Sequence, residues 1–553
     1  MKALLLISLG LATSFSANFA SAQSVPWKIS QPQWNENHEK TFGEFVTRIG
    51  EAVEQRKCNR VDTCLKSAAN PYFNSDPAGL TYYADCADLP YYLRGYFAWK
   101  NQLPFSIISK MQPNATDDGN PSDKDIRYSP KGNSIETRYD ILTKKSLFKT
   151  TIPNALSVLN NDIPGYTFSA NYRIMGNIDS SNLYTDFYPV KLNRQGVRPG
   201  TVIYDPNGHV AIVYKVTDDG HIFYIDAHPD NSLTMGLYTP KFVRSNPAQG
   251  AGFKRFRPLT LVDGRLESNG LYTGGTIQGT PNSQLKDYGT EQFFGNMPDP
   301  AGNWSKGKFT IKNQVVNYYD YVRMSLTLGE QHIDPLSDMG QLVADICVSL
   351  QDRVAAVDGA RTAGIDQKMH PIRLPYNIYG TDGEWENYST PSRDARLKVS
   401  FMDLLEQTKR NIAAWKKHDP TIKYNGGNLA QDLYKVYAEK AKACQFSYTT
   451  SNGKSVLMNL EAGRQRLFAM SFDPYNCIER RWGARLPEEL ATCGDDATKT
   501  AWYNQEQWLR NQWERRYDAR MDYTLQDLRG PLPGAGIADA PDIDIVTYLR
   551  SEM

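Results

Sequence analysis

The sequence predicts an α+β fold in which a helix and an antiparallel sheet form the first half and a mostly α-helical domain follows. The first observation is a stripe of large apolar side chains with helical spacing at positions 89, 92, 93, 96 and 97. The second is a run of three strand-like segments between residues 201 and 228, separated by turn sequences. The third is a set of segments with spaced apolar or aromatic residues among charges, which predicts helices near 312–327, 336–358, 392–417, 428–446, 459–470 and 499–519.

The length and the charge balance restrict the kind of partner. A chain of 553 residues is long enough for two or more domains with large cores. Its 62 basic and 61 acidic residues give no overall attraction to nucleic acid or to acidic lipid. We therefore expect no nucleic-acid partner, and the oligomeric state stays open.

The N-terminus has the pattern of a secretory signal. Met1 and Lys2 precede an apolar run over 3–12, and Ala20-Ser21-Ala22 gives a cleavage site of the small-x-small type. We predict a signal peptide over 1–22 and an exported protein, periplasmic or secreted. No later apolar run approaches the roughly 20 residues of a membrane span, so no transmembrane segment is predicted.

Changes in composition along the mature chain predict two domains and a linker between them. Residues 23–263 hold the predicted sheet domain, with an insertion near 110–192 that includes a polar run over 112–134, typical of a surface loop or lid. From 264 to 305 the composition shifts to Gly, Thr, Asn, Ser and Pro, which predicts a linker. We expect an α-helical domain of unknown role over 306–553.

The seven cysteines are an odd number for an exported protein. An oxidising compartment allows six of them to form three disulfides and leaves one thiol over. Short local loops favour the pairs Cys58–Cys64 and Cys477–Cys493, while the sequence leaves the full connectivity open. We take Cys86 as the free thiol, with a buried core cysteine as the alternative interpretation.

Cys86 lies at the start of the striped helix. Pro90 is tolerated only in the first helical turn, so the helix begins within a few residues of Cys86. At a helix N-terminus the sulfur faces unpaired backbone N–H groups and the positive end of the macrodipole, which favours the thiolate. The sequence therefore predicts a nucleophile at Cys86.

Three polar residues share one face of the predicted meander. If Val216 pairs with His221 across the turn, position 211 lies opposite 226 and position 209 lies opposite 228. Side chains alternate along a strand, so His209, Asp226 and His228 then face the same side of the sheet. The neighbouring strand positions are rich in Val, Ile, Tyr and Phe, and this polar trio therefore indicates a functional site.

Thiol-based acyl transfer needs a nucleophile, a general base and acid, and a group that orients the imidazole. Cys86, His209 and Asp226 supply these groups in chain order. His228 lies one alternation from Asp226 and is the alternative third residue. The thiol would attack an amide or related acyl carbon and release the amine, and water would hydrolyse the resulting thioester.

Three segments around these residues resemble a known family. Asp85-Cys86-Ala87-Asp88-Leu89 looks like the Asp-Cys-Ser-Gly-Leu that opens the catalytic helix of NlpC-type peptidases. The segment 198–204 resembles their Pro-Gly-Asp-Leu-Val strand, and Gly-His-Val-Ala-Ile-Val over 208–213 is similar to the histidine strand of NlpC and CHAP enzymes. Both groups are papain-like cysteine peptidases, which implies a papain-like domain that cleaves amide bonds in a peptide or peptidoglycan substrate.

The resemblance also implies roles for single residues. Cys86 is the nucleophile, His209 the general base and acid, and Asp226 stands where the orienting residue lies. Pro71-Tyr72 resembles a Pro-Tyr whose hydroxyl assists the oxyanion, so Tyr72 is a candidate oxyanion donor. No cofactor and no metal are expected.

Two alternatives remain open beside the hydrolase. A transglutaminase-like acyltransferase has the same order of Cys, His and Asp, and passes the acyl group to an amine. A catalytically silent peptide-binding protein would result if Asp88 in the first helical turn keeps Cys86 protonated.

Overall fold

The structure is a computed structural model that describes residues 25–115, 125–145, 148–176, 179–180, 183–379, 383–515, 519–529 and 536–553. The predicted signal peptide over 1–22 lies outside the described residues, as does the part of the polar run over 116–124. The fold is mixed α and β, as the sequence predicts.

Within the described residues, the strands form one six-stranded sheet and several two-stranded ones. In chain order the strands are β1 (Ser106–Pro113), β2 (Asn133–Asp140), β3 (Lys144–Lys145), β4 (Thr150–Thr151), β5 (Phe187–Pro189), β6 (Val202–Asp205), β7 (His209–Val216), β8 (Ile222–Ala227), β9 (Leu233–Leu237), β10 (Gly252–Phe256), β11 (Leu259–Val262), β12 (Arg265–Leu266), β13 (Tyr272–Thr273), β14 (Thr276–Gly279), β15 (Phe309–Ile311), β16 (Gln314–Val316), β17 (Gln445–Thr449) and β18 (Ser455–Asn459). The six-stranded sheet is antiparallel, with the order β5-β10-β6-β7-β8-β9.

The helices of the first half surround this sheet, and those of the second half form a separate core. In chain order the helices are α1 (Glu36–Glu54), α2 (Val61–Leu65), α3 (Asp88–Lys100), α4 (Ala155–Ser157), α5 (Ile163–Tyr166), α6 (Ser169–Tyr172), α7 (Glu291–Phe294), α8 (Tyr318–Leu326), α9 (Pro335–Thr362), α10 (Gly383–Tyr388), α11 (Pro391–Lys416), α12 (Leu429–Ala443), α13 (Leu460–Arg466), α14 (Ile478–Arg481), α15 (Ala497–Gln505), α16 (Gln507–Asn511) and α17 (Ile545–Glu552).

The six-stranded sheet is a middle layer. On one face, Val210 and Tyr214 of β7 pack in the core that α1 and α3 share. A Cβ at Gly50 of α1 would lie 2.1 Å from Cγ of Tyr214, so only glycine allows this close approach of helix to sheet. On the other face, Ala211 packs with apolar residues of α8 and of the β15–β16 hairpin.

A buried ionic network fixes α3 in this layer arrangement. Arg94 of α3 donates to both carboxylate oxygens of Glu39 in α1, at 2.5 and 3.1 Å. Arg255 of β10 donates to Glu39 at 3.0 Å and to Asp287 at 2.7 Å. These side chains are buried, and removal of one partner would leave a buried charge without compensation. The network therefore holds the helix that begins at the cysteine against both α1 and the sheet.

Strands β7 and β8 pair in the predicted register near the start of β7 and the end of β8, where His209 and Asp226 lie. Near the turn Val216 pairs with Ile222, one residue away from the predicted pairing with His221. A bulge further along β7 absorbs the offset, because Ile212 pairs with Ile225 as the predicted register requires. The polar residues beyond this pair thus keep the predicted relative positions.

The prediction of a linker over 264–305 is wrong. This segment contains β14, which pairs with β11, and its Ile277 lies in the core of the first half. Asp287 belongs to the buried network, and the Gln292 side chain bonds the N–H and C=O of Phe253 in β10. Gly, Thr, Asn and Ser also build tight turns in packed segments, so their enrichment does not by itself distinguish a linker. The first packed unit continues through α8.

The second half is mostly helical, as predicted. Helices α9, α11, α12 and α17 share an apolar core, and the β17–β18 hairpin packs against it. The two halves contact each other directly, because Leu237 of β9 belongs to this second core. Lys241 and Asp345 form a buried ion pair across the boundary at 2.7 Å.

Six cysteines form the disulfides Cys58–Cys64, Cys347–Cys444 and Cys477–Cys493, which confirms the two predicted local pairs. Cys86 is the free cysteine, as predicted. Among the described residues, no helix combines the length and the apolar character needed to cross a bilayer.

Candidate active site

Cys86 lies in the turn that opens α3. The Oδ1 atom of Asp85 accepts hydrogen bonds from the N–H groups of Ala87 and Asp88, at 2.8 and 2.9 Å. The Asp85 carbonyl accepts from Leu89 at 3.0 Å, which is the first helical i to i+4 bond. Asp88 accepts from the N–H of Asp85 at 3.4 Å and completes a capping box. Cys86 is therefore the first residue inside the capped turn, where the sequence predicts it.

Asp88 has a structural role in this turn. It is 4% exposed, and its Oδ1 accepts a hydrogen bond from the Thr167 hydroxyl at 2.5 Å. Burial, and after it the charge of Asp85, raises the pKa of Asp88 to about 8. Asp88 is not among the residues that line the cavity at Cys86.

A chain of hydrogen bonds orients His209, the first residue of β7. Its Nε2 atom lies 2.7 Å from Oδ2 of Asp226 near the end of β8, and both side chains are buried. The hydroxyl of Thr234 donates to the other oxygen of Asp226 at 2.5 Å. His228 lies 3.8 Å from Asp226 and has its hydrogen bond with Thr234 instead, at 3.0 Å. Asp226, rather than His228, is the direct partner of His209.

The protonation of His209 follows from its partner. Burial by itself would raise the pKa of Asp226, but the nearby His228 and the hydrogen bond from His209 hold that pKa well below its usual range. An ionised carboxylate only accepts, so Nε2 of His209 carries the proton and Nδ1 is left with a lone pair. Burial, and after it the charge of Arg396, lowers the pKa of His209 to about 3, so the ring is neutral near pH 7.

The thiol of Cys86 and the ring of His209 line one cavity. Cys86 is partly exposed to it, and its Sγ donates a long hydrogen bond of 3.9 Å to the carbonyl of Gly208. Within the described chain no hydrogen bond joins this thiol to the imidazole. Burial, and after it the negative charge of Asp85, raises the pKa of Cys86 well above its usual range. This direction is opposite to the predicted preference of the helix N-terminus for the thiolate, and together with the lowered pKa of His209 it favours a neutral thiol beside a neutral ring near pH 7.

The cavity has a volume of about 200 Å³ and lies between the two halves of the chain. The first half contributes 85–87, the Gly208-His209 dipeptide and 227–230. The second half contributes the residues around the start of α11, over 389–393, together with Arg396 and Arg515. The helical half is therefore one wall of the site.

The arginines of this wall were not predicted from the sequence. Arg393 and Arg396 lie one turn apart on α11, and Arg515 follows α16. Arg515 forms an ion pair with Asp205, and Arg393 lies 3.8 Å from Asp230. No local motif marks these residues, because their significance depends on a contact with strands more than 160 positions earlier in the chain.

The prediction of Tyr72 as an oxyanion donor is wrong. Its hydroxyl accepts a hydrogen bond of 3.1 Å from Asn101, which follows the last residue of α3. Cys86 precedes the first residue of the same helix, so about 20 Å of helix separates the two sites. The Tyr72 ring packs against Phe45 and Tyr96 in the core and does not line the cavity. The N–H of Cys86, the other oxyanion donor that the proposed chemistry would need, stays a prediction.

Potential metal ligands cluster away from this cavity. The ligand atoms of His370, Asp473 and Glu506 lie within 4.8 Å of one another in the second half, where all three groups are buried. A second group combines Asp495 with Cys477 and Cys493, but these two sulfurs form a disulfide. Among the described residues, neither group includes Cys86, His209 or Asp226.

Searches of protein-family models, of curated proteins and of solved structures find no match for this chain.

Proposed function

We propose that this chain is a cysteine hydrolase of the papain-like type that cleaves an amide bond in a peptide or in peptidoglycan through a thioester. The observation that carries the proposal is the hydrogen bond between His209 and Asp226 in the cavity that also holds the free thiol of Cys86. A helix that begins at the cysteine and an antiparallel sheet that carries the histidine fit that fold. The three disulfides agree with an exported protein.

The proposed reaction begins with proton transfer. Nδ1 of His209 accepts the thiol proton while the Cys86 sulfur attacks the carbonyl carbon of the amide. The oxyanion accepts a hydrogen bond from the backbone N–H of Cys86, and the imidazolium is stabilised by the carboxylate of Asp226. Collapse of the tetrahedral species breaks the C–N bond, and His209 returns its proton to the leaving amine.

Hydrolysis of the thioester completes the cycle. His209, neutral again, removes a proton from a water molecule as that water attacks the thioester carbon. Collapse of the second tetrahedral species breaks the C–S bond, and the proton on His209 returns to the sulfur. One water molecule is consumed, and the products are a carboxylic acid and an amine.

The resting state supports a base-assisted attack rather than a preformed ion pair. Cys86 has a raised pKa and His209 has a pKa lowered to about 3, so both groups are neutral near pH 7. Substrate must therefore displace the thiol from the Gly208 carbonyl and bring it toward Nδ1. The same observation favours one alternative, a protein that binds peptides in this cavity without cleaving them.

Cleavage of purified muropeptides and of whole peptidoglycan, followed by mass spectrometry, tests the proposal. We expect the wild type to release new amine and carboxyl termini, and Cys86→Ala to abolish release while the fold, measured by circular dichroism, is retained. Tyr72→Phe is the matched control and should cleave at the wild-type rate, because Tyr72 lies outside the site. Equal turnover by the Cys86→Ala variant would refute the hydrolase. Tight peptide binding without turnover by the wild type would establish the binding protein.

A further inference from the structure

We propose that Arg396 forms a carboxylate-binding subsite beside Cys86, through which the helical half selects substrates that carry a carboxylate near the bond to be cleaved. That the bound carboxylate belongs to a substrate rests on the proposed hydrolase function. The subsite itself rests on the contacts and the burial of one side chain in the cavity.

Among the described residues, the Arg396 side chain has no hydrogen-bond partner and only a distant carboxylate. Its side chain is 12% exposed, and its Nη1 atom is buried without a hydrogen bond. The nearest carboxylate oxygen, Oδ2 of Asp226, lies 4.0 Å from Nη2, which is beyond hydrogen-bond distance. That carboxylate is already engaged by His209 and Thr234. Asp226 therefore cannot also satisfy the planar fork of the guanidinium.

The two other arginines of the wall differ from Arg396 in this respect. Arg515 has an ion pair with Asp205 and donates to the Ser392 hydroxyl at 2.8 Å. Arg393 donates to the Ser232 hydroxyl at 3.3 Å and lies 3.8 Å from Asp230. Of these three arginines, Arg396 is thus the one whose side chain has no hydrogen bond to any described residue, and it lines the cavity.

A buried guanidinium without a partner is costly, because its charge has lost hydration and has gained no hydrogen bond in return. Burial, and after it the charge of Arg515, lowers the pKa of Arg396, which agrees with an uncompensated cation. A carboxylate matches the fork of the guanidinium with two parallel hydrogen bonds and restores the balance of charge. This position therefore favours a planar anion as its ligand.

The position of Arg396 places such a ligand beside the reacting groups. Its charge acts on the pKa of both Cys86 and His209, which lie with it along the cavity. The cavity of about 200 Å³ has room for a few heavy atoms beside the thiol. A carboxylate held by Arg396 would thus lie close to the carbonyl that the sulfur attacks.

The start of α11 favours the same charge. Its first turn borders the cavity, and the side chain of its N-cap residue, Thr390, bonds to Asp394 instead of capping the helix. The N-terminal end of this 26-residue helix carries partial positive charge beside the cavity, and the Asp394 carboxylate in the same turn is paired with Arg353. Arg396 and this helix end therefore attract an anion from the same side.

Alkylation of Cys86 tests the subsite without any need for turnover. Iodoacetate and iodoacetamide have nearly the same size, but only iodoacetate carries a carboxylate. Cys86 is the free cysteine, so both reagents report on this position. The measured quantity is the second-order rate constant for iodoacetate divided by that for iodoacetamide. The same ratio for glutathione serves as the reference. The ratio cancels any change in the fraction of thiolate, because that change affects both reagents equally.

We expect the ratio for the wild type to exceed that of glutathione by about tenfold, and Arg396→Gln to abolish this excess. Arg396→Lys should keep part of it. Arg265→Gln is the matched control, because this arginine is 77% exposed and lies outside the cavity, and it should leave the ratio unchanged. A wild-type ratio equal to that of glutathione would overturn the subsite even if no Arg396 variant folds. A high ratio that survives in Arg396→Gln would overturn it as well.

The two proposals fail in different experiments. If the wild type shows the carboxylate preference but releases no product from muropeptides, the subsite stands and the hydrolase is wrong. If the wild type hydrolyses amides but alkylation shows no preference, the hydrolase stands and the subsite is wrong.

Discussion

The Nε2 atom of His209 lies 2.7 Å from the carboxylate of Asp226, although the two residues are 17 positions apart on adjacent strands. This contact engages Nε2, so Nδ1 is the ring nitrogen left without a hydrogen bond among the described residues, and His209 lines the same cavity as Cys86. It also means that the orientation of the proposed base depends on the pairing of β7 with β8 and on one carboxylate.

Removal of that carboxylate should disable the base. We expect Asp226→Ala to lower kcat/KM for amide hydrolysis by about 10²–10⁴-fold, because the ring loses its orientation and the imidazolium loses its counter-charge. His228→Gln, which can keep the hydrogen bond to Thr234, should lose less than about tenfold. Steady-state kinetics of both variants give the comparison. A larger loss in His228→Gln than in Asp226→Ala would show that the third residue has been assigned wrongly.

The neutral state of His209 predicts a loss of stability in acid. Its pKa is lowered to about 3 in the folded chain and is near 6.5 in the unfolded chain, so below pH 6.5 the unfolded chain binds more protons. The free energy of unfolding should therefore fall by about 1–2 kcal/mol between pH 7 and pH 5 from this residue. The lowered pKa of Asp226 adds a loss of the same sign at still lower pH.

Thermal unfolding of the wild type and of His209→Gln at pH 7, 6 and 5 measures this contribution. Glutamine cannot be protonated in this range, so the variant should lose less stability on acidification than the wild type. Parallel curves for the two proteins would show that His209 does not carry the effect.

The charge of Asp85 can be separated from its capping role. Asp85→Asn keeps the cap of α3 and removes the negative charge that raises the pKa of Cys86. We expect this variant to react several-fold faster with iodoacetamide at pH 7.5 and to unfold at the wild-type temperature. Asp85→Ala should react as fast but lose about 1 kcal/mol of stability, because the cap is gone. Unchanged reactivity in Asp85→Asn would rule out an effect of this charge on the thiol.

The contact of α1 with the sheet predicts a sharp difference between two glycines. Gly50→Ala would place its methyl group 2.1 Å from Cγ of Tyr214, so we expect a loss of about 1–3 kcal/mol. Gly359→Ala in α9 meets no atom within 4 Å, and we expect a gain of about 0.5–1 kcal/mol from helix propensity. Urea unfolding measures both. Equal midpoints for the two variants would contradict the close packing of α1 on β7.

The sequence was sufficient where local rules act on short segments. The stripe after Cys86 predicted α3, and strand alternation placed His209 and Asp226 on one side of the sheet. The predicted turn pairing was one residue off, and a bulge in β7 compensated for it. The capping box of Asp85 and Asp88 was not predicted, although an acidic residue three positions after an N-cap candidate is a local signal for one.

Contacts between residues far apart in the sequence could not be predicted from such local rules. The segment over 264–305 has the composition of a linker but packs through Ile277 and Gln292, whose partners lie elsewhere in the chain. Tyr72 was placed at the site through its neighbour Pro71, whereas packing carries it to the far end of α3. The role of Arg396 depends on which hydrogen bonds a buried side chain lacks, and a sequence does not contain that information.

The shared cavity changes where the molecule can be cut. A fragment that ends near residue 333 would keep Cys86, His209 and Asp226, yet it would lack the start of α11 and the arginines at 393, 396 and 515. In such a fragment the thiol of Cys86 would be open to solvent on the side that the second half covers in the full chain. The boundary between the two halves therefore runs through the cavity itself, and an assay of the proposed activity needs the full-length chain.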